Sequence, residues 1–432
     1  MPEYSGILDE MSAGRPVFWK NENKPPAREV LGRLPIGMSD ILEAEARLYR
    51  FAPFIRSVFP ETGNGLIESP LVFVPTARHA LEKAYGKPIP GSLWIKADSE
   101  LPVAGSIKAR GGIHEVLKVA ETIAQKAGLV MEGSDYSCLV SPQAKQVFSK
   151  KEIAVGSTGN LGMSIGIMAS ALGFRATVTM SRDAKAWKKA LLRSRGVRVV
   201  EVESDYSEAV AKGRRECEAD PDCHFVDDER SLDLFMGYAV AALRLKRQLE
   251  EAGVTVSESH PLSVTLPCGV GGAPGGITFG LKSVFADAVK CWFVEPTQAC
   301  CMTLALVRGT PKVSVKDLGL NGLTEADGLA VGVPSALVWD LIKDLVDGAF
   351  TLEDEELFRL LAILWDSEGR KVEPSAASAL LGPLITGGTP ETNHVAWLTG
   401  GLFLPEEIFE GMLSQGRVLL AKQGMRMPDP SL

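Results

Sequence analysis

Lys108 lies in Ser106-Ile107-Lys108-Ala109-Arg110-Gly111-Gly112, a loop that runs into a helical pattern. Held in an interior cleft, a lysine loses basicity through desolvation and neighbouring cations. A free amine at neutral pH is what Schiff-base chemistry requires. A lone lysine in a loop is usually a surface group, so this segment carries little by itself. Gly156-Ser157-Thr158-Gly159-Asn160-Leu161-Gly162 reads as a strand-to-helix turn. The helix N-terminus it opens carries about half a positive charge, which suits a carboxylate or a phosphate. A plain N-cap by Ser157 or Thr158 accounts for the same residues equally well.

Pro267-Cys268-Gly269-Val270-Gly271-Gly272-Ala273-Pro274-Gly275-Gly276 also falls between strand and helix. Five glycines in eight residues from Gly269 leave the backbone N–H groups open to one phosphate. Residues 275–282 read GGITFGLK, without the Gly-Lys-Ser/Thr ending of a nucleotide P-loop. Pro274 stands where the third glycine of a dinucleotide fingerprint belongs. The turn therefore suits a phosphate ligand other than ATP or NAD in their usual modes. Thr399, in Trp397-Leu398-Thr399-Gly400-Gly401, follows an apolar run whose C-terminal end would face a ligand crevice in an open α/β sheet. Read alone, it is a solvated turn threonine. Asp227-Asp228-Glu229 also closes a short strand, and one of these acids can enter a cleft as proton donor or hydrogen-bond partner. Glu295, before Pro296, reads as a structural partner of the glycine turn.

The elements that must position these residues alternate. Residues 93–96, 153–155, 176–180, 197–202 and 225–226 read as strands; 111–127, 160–172, 184–195 and 207–218 read as helices. The alternation resumes with strands at 262–266, 289–294 and 394–398 and helices at 276–286, 337–345 and 353–365. Such a chain builds parallel sheets covered by helices. No clean linker divides it, so a small domain inserted in a larger one is expected.

The 432 residues allow two or three domains, and 45% hydrophobic with 23% charged residues is ordinary for a soluble core-forming protein. A net charge of −8 argues against a phosphate-backbone partner. The cluster Lys185, Lys188, Lys189, Arg193, Arg195 and Arg198 reads as a solvated helix face. Residues 1–16 lack the apolar core of a signal peptide, and the apolar stretch 161–174 is short of a membrane span. Seven cysteines, odd in number and without a CxxC pair, argue for reduced thiols and a cytoplasmic protein. Neither they nor the five histidines show metal-site spacing, so no metal is expected.

GSIKARGGI (105–113), AVGSTGNLGMSIGIM (154–168), DDERS (227–231), PCGVGGAPGG (267–276), EPTQ (295–298), DGLAVG (327–332), EPSA (373–376) and TGG (399–401), in this order, resemble the pyridoxal-phosphate (PLP) enzymes of the tryptophan-synthase β type, fold type II. Within them the chain is most similar to the bacterial D-serine dehydratases, or D-serine ammonia-lyases. The resemblance implies two open twisted α/β domains with PLP in the cleft between them. The large one would span 1–148 and 231–432, with 1–30 an irregular arm; the small mobile one would span 149–230.

The resemblance also implies roles. Lys108 would hold PLP as a Schiff base and act in catalysis with Asp228. Asn160 would bond the phenolic oxygen, the turn Gly269, Val270, Gly271, Gly272 and Ala273 would cradle the phosphate, and Thr399 would bond the pyridine nitrogen. Ser157, Thr158 and Leu161 would hold the substrate carboxylate, with Asp228 also at the substrate. A hydroxyl at the ring nitrogen, unlike an aspartate, does not enforce a protonated ring, which suits prompt β-elimination. The implied activity is α,β-elimination of D-serine to pyruvate and ammonia. A related eliminase such as a threonine dehydratase, and a non-catalytic phosphate-ligand binder, stay open. The implied partner is a small amino acid, with no nucleic acid or membrane, in a monomer or homodimer. Ala273 replaces a family glycine, which matters only if its φ is positive, and His114 replaces a tyrosine.

Overall fold

Leu262–Pro267 is buried at every position and Val289–Pro296 at all but Lys290. Continuous burial of this kind belongs to parallel strands covered on both faces. The computed structural model describes residues 5–157, 159–182, 184–203, 206–422 and 427–428. Thr158 lies outside the described residues.

The chain forms two compact units. One comprises Met1–Met38, Ser69–Glu100 and Ala241–Leu432. Its seven-stranded sheet runs Phe18–Lys20, Gly348–Leu352, Val289–Pro296, Leu262–Pro267, Asn393–Trp397, Ser92–Lys96, Leu71–Phe73. The two outer pairings are antiparallel and the inner ones parallel. Leu357, Leu360, Leu361 and Leu364, on helix Asp354–Glu368, pack with Leu93, Ile95, Val294 and Phe350 of the sheet into one core.

The other unit comprises Ser39–Glu68 and Leu101–Val240. Its four parallel strands are ordered Arg198–Val202, Arg175–Ser181, Glu152–Gly156, Cys223–Val226. All four fall within 149–230, but the unit is larger. Arg47 and Arg50 of helix Met38–Val58 each reach a carboxylate oxygen of Glu121 at 2.7 Å, and the Tyr136 hydroxyl donates to the same group at 2.8 Å. These ties join helix Met38–Val58 and Tyr136 to helix Lys108–Lys126.

Two further features differ from the sequence expectations. The described part of the first 30 residues is not irregular: Ser5–Ser12 is a helix, and Phe18–Lys20 adds an antiparallel strand to Gly348–Leu352. The signal is three residues long and flanked by Pro, Gly and Asn, so composition hides it. Cys217 and Cys223 are joined in a disulfide, where reduced thiols were expected. The short turn between helix Tyr206–Glu218 and strand Cys223–Val226 brings their Cα atoms to 5.1 Å. Ala273 is helical and is not among the positive-φ residues, so its methyl imposes no backbone strain. The basic cluster is neutralised locally: Glu201 accepts from Lys189 at 2.7 Å and Arg193 at 2.5 Å.

Candidate active site

In the seven-stranded unit, strand Leu262–Pro267 leads into the glycine turn and strand Asn393–Trp397 into Thr399. The strands are parallel neighbours with Ala396 opposite Thr265, so Cys268 and Thr399, each three residues further on, leave the same sheet edge. Gly271, at φ +110°, caps helix Gly272–Phe285. A side chain there would be strained, and its Cβ would come within 2.5 Å of Met302 Cε. No side chain caps this helix, and its first turn holds no acid. Among the described residues, the amides of Gly269, Val270, Gly271, Gly272 and Ala273 meet no acceptor. Five unclaimed amides at a helix N-terminus suit a phosphate dianion.

Thr399 is buried, and its hydroxyl bonds to no described residue. Its loop is held by backbone bonds from Leu398 to Lys96, Leu402 to Ser99 and Glu373 to Gly400, each 3.0 Å. The loop is therefore rigid while its one hydroxyl stays available.

Glu295 is fully buried and caps helix Cys301–Arg308, accepting from the amides of Met302 at 3.0 Å and Thr303 at 2.6 Å and from the Thr303 hydroxyl at 2.5 Å. Cys301 in turn reaches the Gly269 carbonyl at 3.7 Å. Glu295 thus supports the glycine turn from beneath. Burial pushes its carboxyl up to about 7, against the pull of these donors. A carboxyl with a raised pKa in the folded chain adds stability that is whole below its unfolded pKa and fades as pH rises through about 7. Glu295→Gln puts an amide donor against these donors and should cost about 1–3 kcal/mol. It should also flatten the fall in stability between pH 4.5 and 7, as read from urea midpoints across that range. A variant with wild-type stability and slope would show that the buried carboxyl does not support the turn.

In the four-stranded unit, Lys108 opens helix Lys108–Lys126 and Asn160 opens helix Asn160–Leu172. The helices meet at Gly112, where a methyl would come within 2.6 Å of Ser164 Oγ. Lys108 is partly exposed, and its amine makes no hydrogen bond or ion pair with a described residue. The loop before it holds Val103 at φ +76°, a strained setting for a β-branched residue. Val155 and Val226 are opposite one another on adjacent parallel strands. Ser157 and Asp228, each two residues on, therefore leave the same edge. The Ser157 hydroxyl accepts from the Gly159 amide at 3.2 Å, and Leu161 is buried one residue into the next helix.

Asp227 pairs with Arg214 at 3.0 Å and accepts from the Glu229 amide. Burial raises the Asp228 pKa above the ordinary carboxyl range, and the positive charge of Lys108 opposes the rise. Lys108 and Asp228 thus share one electrostatic environment. Tyr238 escaped the sequence reading because it stands in an apolar helical run, and only the packing places it beside Gly111.

In each unit expected residues follow parallel strands at one sheet edge, Cys268 and Thr399 in one and Ser157 and Asp228 in the other. An α/β protein with a glycine turn suited to a phosphate in one unit and an unclaimed lysine amine in the other is the class so defined. The chain belongs to the pyridoxal-phosphate dependent enzyme family, whose pattern matches residues 69–400. It is 55% identical over 419 residues to the "Probable D-serine dehydratase" of Carboxydothermus hydrogenoformans, covering 96% of this chain and 99% of that one. It is 53% identical over 431 residues to the protein of the same name from Chromobacterium violaceum, covering 96% of each. Its fold matches diaminopropionate ammonia lyase from Escherichia coli with a TM-score of 0.71, at 18% identity over 94% of this chain and 99% of that one. The fold is that of the fold type II PLP enzymes, as the motifs imply.

Within the seven-stranded unit the unclaimed amides suit the cofactor's phosphate and the buried Thr399 hydroxyl suits a ring nitrogen; within the four-stranded unit the Lys108 amine, without a bond to a described residue, suits an aldehyde.

Proposed function

We propose that the chain deaminates D-serine to pyruvate and ammonia. Bound PLP supplies an electron sink that acidifies the α-hydrogen of an attached amino acid. Lys108 holds the cofactor, and its amine, once released, takes the α-proton. Asp228, kept protonated more readily by its burial, gives its proton to the departing β-hydroxyl, which leaves as water. The proton on Lys108 then restores Asp228, so both groups are reset. Ser157 and the Leu161 amide hold the substrate carboxylate, Asn160 the phenolic oxygen and Thr399 the ring nitrogen.

The observation that carries the elimination is the Lys108 amine, without a hydrogen bond or ion pair to a described residue, in the unit whose strand edge carries Ser157 and Asp228. The choice of D-serine rests on the names of relatives that match nearly the whole chain. We place the enzyme in the cytoplasm as a monomer or homodimer without a nucleic-acid or membrane partner; among the described residues no helix is long and apolar enough to cross a membrane.

The test supplies the yellow holoenzyme with each enantiomer of serine and threonine and follows keto-acid release. D-serine should react with the highest kcat/KM. Preference for L-threonine would make the chain a threonine dehydratase. A colourless, inert preparation would make it a binding protein.

A further inference from the structure

Glu115 lies on helix Lys108–Lys126, two turns beyond Lys108 and on the same side of the helix. Its side chain is buried, and each carboxylate oxygen meets a separate partner. His224 Nε2 lies 2.8 Å from one oxygen, and the Ser231 hydroxyl donates to the other. A carboxylate only accepts, so the ring presents an N–H there. His224 belongs to strand Cys223–Val226. Ser231 precedes helix Leu232–Glu251 and accepts from the Leu234 amide at 3.0 Å.

These two contacts stand on either side of Asp228 in the chain. Between them the backbone closes a turn: the Arg230 and Ser231 amides donate to the Asp227 carbonyl at 3.1 and 2.9 Å. The Asp227 carboxylate accepts from the Glu229 amide at 3.1 Å and pairs with Arg214 at 3.0 Å. Glu115 therefore ties both ends of a short, internally bonded segment to the helix that begins at Lys108. Burying a carboxylate is costly, and packing alone is served as well by apolar side chains. What the carboxylate adds is direction, with one donor on each oxygen.

We propose that Glu115 is a positioning residue for Asp228: by holding His224 and Ser231 at once, it fixes where the Asp228 carboxyl can reach. This rests on the reading of Asp228 as the group that protonates the leaving hydroxyl. In that step the bond from the β-carbon to oxygen breaks with its electron pair on oxygen. The Asp228 O–H bond breaks, and a new O–H bond completes water. A proton donor works only within hydrogen-bond reach of the oxygen it serves, and a misplacement of about 1 Å can cost about 100-fold. Glu115 acts on the rate through the place at which it holds that donor.

The experiment gives wild type, Glu115→Gln, Asp228→Asn and the double variant, as holoenzymes, D-serine and β-chloro-D-alanine in turn and follows keto-acid release. Chloride departs with its electron pair and needs no proton, so the ratio of kcat on D-serine to kcat on the chloride reports the acid step. Both rates come from one preparation, so the ratio does not depend on how much of a variant is folded or loaded with cofactor. Asp228→Asn should lower the ratio. Glu115→Gln should lower it by about tenfold or more, with no further fall in the double variant. Ser231→Ala removes one tie and leaves Glu115 in place; it should lower the ratio too, and it decides the question if Glu115→Gln yields no folded protein. A lowered ratio in Asp228→Asn beside a wild-type ratio in Glu115→Gln or Ser231→Ala overturns this inference alone, as does a further fall in the double variant. A wild-type ratio in Asp228→Asn, or a wild type inert toward D-serine, overturns it together with the reading beneath it.

Discussion

Lys108→Ala is expected to abolish pyruvate release from D-serine, a fall of about 10,000-fold or more. The purified variant should also lack the visible absorbance of the bound cofactor. Both effects have one cause: the amine that would bind the cofactor aldehyde is the same amine that would take the α-proton. The side chain is partly exposed and engages no described neighbour, so stability should change by less than about 0.5 kcal/mol. Lost activity with an unchanged urea midpoint separates chemistry from folding. A Lys108→Ala enzyme that still turns over D-serine and keeps its colour would remove the assignment.

Gly237→Ala should have the largest effect on stability. In an exposed helix interior, glycine to alanine gains about 1 kcal/mol. At 237 the new Cβ would lie 2.6 Å from the Arg110 carbonyl oxygen, 2.6 Å from His114 Cβ and 2.9 Å from Gly111 Cα. Two of these are backbone atoms of the lysine-bearing helix, so the helices must separate. The cost should be about 3 kcal/mol or more, and cofactor retention should fall with it because Lys108 lies one turn from the contact. Gly411→Ala, on helix Glu406–Ala421 with nothing within 4 Å of its Cβ, is the control and should stabilise. Equal unfolding midpoints for the two variants would mean that the helices at 111 and 237 do not cross this closely.

His114 shows how such a crossing is locked. Its Nδ1 lies 2.7 Å from the Asp233 carbonyl and its Nε2 lies 3.1 Å from Arg47. Burial, reinforced by the Arg47 charge, holds its pKa down at about 4. A neutral ring can donate to the carbonyl and accept from the guanidinium at once. The tyrosine of the family pattern has only one hydroxyl to offer.

What could be read in the chain was local. Helix Asn160–Leu172 appears with the expected bounds, and most strands within a residue or two, because burial writes period and continuity directly into sequence. The glycine turn declared itself through side chains it lacks. Lys108, Asp228 and Thr399 needed the family resemblance, since one residue of each type has no distinguishing neighbourhood. What escaped was set by partners far along the chain. Phe18–Lys20 becomes a strand only against Gly348–Leu352. The 217–223 disulfide depends on a turn that no spacing rule marks. Tyr238 meets Gly111 only through packing, and Glu121 draws helix Met38–Val58 into a unit that the resemblance began at 149.

The pairing of Ser92 with Asn393, 301 positions apart, sets an order of birth. The last strand of the four-stranded sheet ends at Val226, whereas the seven-stranded sheet cannot close until Asn393–Trp397 has left the ribosome. At about 5–20 residues per second the interval is roughly 10–30 s. For that time a nascent chain carries Lys108 on a finished scaffold, while Ser92–Lys96 waits with a bare edge of the kind that invites mispairing. With the proposed grip on the anionic tail of vitamin B6, loading would follow this wait as a late step of biosynthesis, and chaperone demand should fall on the middle of translation.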